Sequence, residues 1–193
     1  MNQFLKSLFL QPPTVLGRQL KPFSAFHLAA LTIINNPYAV GGKVEDNDLI
    51  TAVHVCSHTF TDGWKVLNPD AEALEAIGEW GAENSNASIS EAHKVLSEYL
   101  TEALDVPEVW TDSNSQQSDI PLSFCVVATV IGSMPSISRV EAWDMAFAEL
   151  IGYRCAIAEQ NGMEIVSARQ RTLIEFKNKI EREAREAADK AGK

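Results

Sequence analysis

The chain is short of the residues that staple or interrupt a fold. Its three cysteines, Cys56, Cys125 and Cys155, are odd in number and share no CxxC spacing, which excludes a disulfide framework. Each lies in an apolar helical stretch and reads as a reduced, buried thiol of a cytosolic protein. Bases are scarce too: 16 lysines and arginines face 26 acids, a formal charge of −10. An acidic surface repels phosphate backbones, which argues against nucleic acid and leaves basic or amphipathic protein segments as partners. Long apolar runs are missing. The longest, residues 121–134, falls short of the roughly 20 residues a membrane helix needs. The opening "MNQFLKSLFLQPP" is too short and too weakly basic for a secretory signal. Asn86-Ala87-Ser88 fits a glycosylation acceptor, but nothing else implies secretion. No GxSxG elbow, Walker phosphate loop or strand-borne GxGxxG occurs, and "AVGGKV" reads as a turn.

What remains is an ordinary globular composition, 46% apolar and 22% charged, in a length that suits one domain with a substantial core. Helical periodicity dominates and strand alternation is nearly absent. Ser24 caps a helix over "AFHLAALTIINN" that Pro37 closes, and Gly41-Gly42 makes a turn with room for a short extended arm on each side. Asp46 or Asn47 starts the next helix, which ends before Asp62-Gly63. Asp70 caps "AEALEAIGEWGAEN", weakened by Gly78 and Gly81, and Ser88 with Glu91 opens "SISEAHKVLSEYLTEAL", which Pro107 stops. These two helices form an acidic hairpin over residues 70–105. Residues 111–119 are a polar surface loop. Leu122 to Met134 is apolar all round, the pattern of a helix enclosed by others. Ser138 and Glu141 cap a helix to Gly162, with an apolar stripe of Val140, Trp143, Phe147, Ile151, Cys155 and Ala158 that belongs to the core rather than to an active site. The expected architecture is all-α: a single multi-helix bundle over residues 1–170, then a charged, projecting C-terminal helix or tail over 171–193.

Chemistry is hard to find along this chain. In "HVCSH", His54 and His58 stand four apart, which on a helix puts both on one face. Zinc peptidases use that spacing with a glutamate beside the first histidine; here that neighbour is Val55. Cys56 points about 200° away from His54 and cannot share its metal. Two half-buried histidines on a helix flank are the plainer reading. His27 and His93 stand singly, each able to bond a backbone carbonyl or sit half exposed. Ser57 beside His58 diverges from it by about 100° on a helix. Carboxylates are too many for any pair to stand out. No catalytic residue, metal ligand or cofactor is assigned.

The charge is unevenly spread. Asp62 to Asp119 holds 13 acids and only Lys65 and Lys94 as bases, while Arg171 onward holds seven bases and five acids. The acidic third reads as a solvated face that aids solubility, or as a field that attracts a cationic partner or mimics nucleic acid. In the last helix Leu173, Phe176 and Ile180 give way to Ala184, Ala187 and Ala188. That helix is either a solvated terminus or a surface on which Leu173, Phe176 and Ile180 meet a partner helix or another subunit.

Two segments carry a resemblance. "LGRQLKPFSAFHLAALTIINNPYAVGG" with "DNDLITAVHVCSHTF" (about residues 16–60), and "SISRVEAWDMAFAELIGYRCAIAEQNGMEIVS" (about 138–168), resemble phage tail assembly chaperones, which hold the tape-measure protein before the tail tube closes around it. The matching residues are mostly packing residues, so no site residue transfers. The resemblance implies a non-enzymatic binding protein in the host cell cytoplasm that covers the apolar stripes of a long helical protein by helix-in-groove contacts, with homo-oligomerisation open. Two other readings stay open: a self-assembling tail or neck adaptor of the virion, and a small helical metal-dependent hydrolase built on His54 and His58.

Overall fold

The computed structural model describes residue 9 and residues 11–84, 89–109, 120–163, 165–166 and 177. It is predominantly helical, as the periodicity implies. Among the described residues the first element is a small hairpin, β1 (Thr14–Val15) and β2 (Arg18–Gln19), in antiparallel register. Its turn residues Leu16 and Gly17 both have positive φ, 48° and 73°. That conformation suits a tight hairpin but is costly for leucine, and burial of the Leu16 side chain in the core offsets the cost.

The helices follow in order: α1 (Ala25–Ile33), α2 (Pro37–Val40), α3 (Asp46–Cys56), a 3₁₀ turn (Phe60–Asp62), α4 (Gly63–Leu67), α5 (Ala71–Asn84) and α6 (Ile89–Leu104). After β3 (Glu108–Val109) come α7 (Leu122–Ser133), α8 (Arg139–Asp144), α9 (Phe147–Gln160) and β4 (Ile165–Val166), which pairs antiparallel with β3. Capping chemistry sets several of these starts. Asp70 accepts the Ala73 N–H at 2.9 Å, and Ser138 and Glu141 cap each other's backbone at 3.2 and 2.8 Å. Pro37 opens a helix rather than only closing one: Asn36 accepts the Tyr38 N–H, and proline occupies the first turn, where its missing N–H costs nothing.

The core lies where α1, α3, α6, α7 and α9 converge, and Leu31, Leu49, Leu96, Val126, Val130, Phe147 and Leu150 are almost wholly out of water. Each such side chain contributes about 1.5–3 kcal/mol through burial. Three expectations need correction. The helix begun at Ser138 is not continuous. It breaks at Met145–Ala146, where the Phe147 N–H donates to the Phe23 carbonyl at 2.7 Å and Ala146 pairs with Ser24. Trp143 and Phe147 are core residues as expected, but Val140 faces solvent. α7 is not enclosed: Val126, Val127 and Val130 are buried while Leu122, Phe124 and Ala128 are exposed. The turn at Gly41 and Gly42, with φ of 81° and 124°, has no strand beside it among the described residues.

The 70–105 segment does form two helices, as its caps and stripe imply. The expected loop at 111–119 and the C-terminal helix with Leu173, Phe176 and Ile180 lie outside the described residues, as does Ser88.

Candidate functional site

α3 ends at Cys56, so His54 sits in its last turn and His58 in the turn beyond it. The two rings still meet, with centroids 4.6 Å apart. The Arg18 guanidinium, delivered by the hairpin, donates to His54 Nδ1 at 2.8 Å, which places the His54 proton on Nε2. His58 uses its Nδ1–H differently, donating to the His54 carbonyl at 2.7 Å. Burial, reinforced by His58 and Arg18, pushes the His54 pKa down to about 4. Arg18 also lies 3.8 Å over the Trp80 ring, and the Trp80 indole N–H donates to the Leu16 carbonyl at 2.9 Å. His54 is therefore one member of a clamp that ties the hairpin and α5 to α3. A cation at this ring would first have to displace Arg18.

The other histidines also join elements. His27 is 1% exposed; its Nδ1 accepts the Ser24 N–H at 3.0 Å and its Nε2–H donates to the His58 carbonyl at 2.8 Å. Burial is the main cause of its depressed pKa, about 4. His93 accepts the Tyr38 hydroxyl at 2.6 Å and reaches Asp46 at 3.3 Å, linking α6, α2 and the start of α3. Burial raises the Cys56 thiol to about 12 and raises Cys155 as well, so neither is primed as a thiolate nucleophile. Among the described residues no group of three or more His, Cys, Asp and Glu side chains converges closely enough to hold a metal ion.

Apolar side chains at the surface are the more distinctive feature. Trp64 on α4 is 78% exposed. α7 carries no charged residue, and its outer face shows Leu122 and Phe124; Ile120 before it and Val140 on α8 are exposed as well. Phe124 reaches inward to the edge of Trp143, with ring centroids 4.9 Å apart. Between α3, α5 and the start of α6 a cleft of about 510 Å³ is lined by Ile50, Leu74, Ile77 and Ile89, with Asp46 and Asn47 at its mouth. The sequence holds a trace of this arrangement in Gly78 and Gly81: Gly81 lets α5 pack closely on Ile50, and Gly78 leaves open space beside it.

No protein-family model, curated protein or solved structure matches this chain. No helix among the described residues is long and apolar enough to cross a membrane.

Proposed function

We propose that the chain is a non-enzymatic binding protein of a bacterial virus that chaperones the helical tape-measure protein during tail assembly, by helix-in-groove contacts. The observation that carries this reading is large apolar side chains left at the surface of an acidic helical protein, Trp64, Leu74, Leu122 and Phe124 among them. Such surfaces aggregate unless they are covered, and a net charge of −10 keeps them soluble while they wait for a partner. Capture has to be reversible, because tube assembly must displace the chaperone; several modest contacts suit that better than one very tight site. The histidines are engaged in joining elements, which favours binding over turnover.

Co-expression with a tape-measure protein is the test. The expected result is a soluble complex, weakened by Phe176→Asp and unaffected by His58→Ala. A tape-measure protein equally insoluble with and without this chain overturns the reading. The uncharged outer face of α7 favours a second reading, a tail or neck adaptor that self-assembles. Rings or polymers in sedimentation of the protein alone would select it.

A further inference from the structure

We propose that the cleft between α3 and α5 is the docking site for an apolar helical segment, flanked by lysine or arginine, on a partner protein. This rests on the binding-protein reading and gives it a location.

Among the described residues α5 is secured near its C-terminus. There Trp80 bonds to Leu16 and stacks on Arg18, and Gly81 is buried so closely on Ile50 that an added Cβ would lie 3.0 Å from the Ile50 methyl. Toward its N-terminus contact with α3 is lost. A Cβ added at Gly78 would meet nothing within 4 Å, and Leu74 is 56% exposed. The two helices therefore diverge into a wedge whose apolar walls meet no filling side chain among the described residues. About 510 Å³ is within the range of ligand pockets, with room for the anchor side chains of an amphipathic helix.

The rim defines the occupant. Asp46 stands at the mouth from α3, and α5 itself carries Glu72, Glu75, Glu79 and Glu83 and no base. Lys65 and Lys94 are the only bases from Asp62 to Asp119, against 13 acids. An apolar floor in an acidic segment complements a helix with a leucine-type stripe and cationic flanks, and repels one with acidic flanks.

The probe is a fluorescein-labelled helical peptide with leucines at i, i+3, i+4 and i+7 and lysines on its flanks, titrated by anisotropy into the full chain. A control peptide carries glutamate in place of lysine. Gly78→Leu is the decisive variant, because it fills the wedge while improving helix propensity, and circular dichroism confirms that the fold is kept. The expected result is saturable binding of the lysine peptide, at least tenfold weaker for Gly78→Leu and for the glutamate peptide. Benzoylphenylalanine at Leu74 should cross-link to the bound peptide. No binding, or binding that Gly78→Leu leaves unchanged, overturns the site. Cross-linking of position 74 to a second copy or to residues 167–193 at saturating peptide also overturns it. Groove and chaperone readings separate cleanly. Peptide binding lost in Gly78→Leu, with no tape-measure protein co-purifying with the wild type, sinks only the chaperone reading. Tape-measure protein retained by Gly78→Leu sinks only the groove.

Discussion

His27 shows how a titratable side chain becomes structural. It is buried between the Ser24 N–H and the His58 carbonyl, so its neutral form fits and its charged form does not. Its folded pKa of about 4 lies below the ordinary 6.5, and the unfolded chain therefore binds a proton more readily across that window. The stabilisation is complete above pH 6.5 and is lost progressively as pH falls toward 4. By pH 5 the loss from His27 is about 2 kcal/mol. His54 adds to it in the same direction, by less, because solvent screens its more open site. Urea unfolding at pH 7 and pH 5 checks this, with His27→Gln expected to flatten the difference. Wild-type stability equal at the two pH values would contradict it. The sequence presents His27 and His54 as isolated histidines; their partners, a carbonyl 31 residues away and a guanidinium 36 residues away, come from folding. Local spacing does not carry that information.

At the scale of elements, the short-range signals were the legible ones. Asp70 and Ser138 cap helices because the capping hydrogen bonds close within three residues. The break at Met145–Ala146 was not legible, since it is set by pairing with Phe23 and Ser24 far away in sequence. Nor was the end of α3 at Cys56, which leaves His58 off the helix. Asp144 accepts the Phe60 N–H at 2.6 Å and holds the 3₁₀ turn against α8, a partner 84 residues away that local spacing does not reveal. Two glycines make opposite predictions. At Gly63 an added Cβ would lie 2.8 Å from the buried Phe26 ring, so Gly63→Ala should destabilise by about 1–3 kcal/mol. At Gly78 the space is open, and Gly78→Ala should stabilise by about 0.5–1 kcal/mol. Thermal unfolding of both variants measures the difference, and equal shifts of one sign would contradict the packing of α4 or α5.

For the whole molecule, the all-α class followed from periodicity, and the uneven charge was plain in the order of residues. Which apolar faces would be covered was not, because 3.6-residue periodicity tells how a helix is striped and not what stands opposite. α7 is apolar all round in sequence yet has an open outer face, and α5 carries an apolar stripe that only partly meets α3.

Hydrogen–deuterium exchange of the full chain, alone and mixed with the partner proposed above, measures directly whether such faces do the binding. Exchange should slow on complex formation in residues 71–84 and in the first turns of α3. Rates unchanged in every described helix, or slowing confined to the turn around Arg18, His54 and His58, would contradict the account.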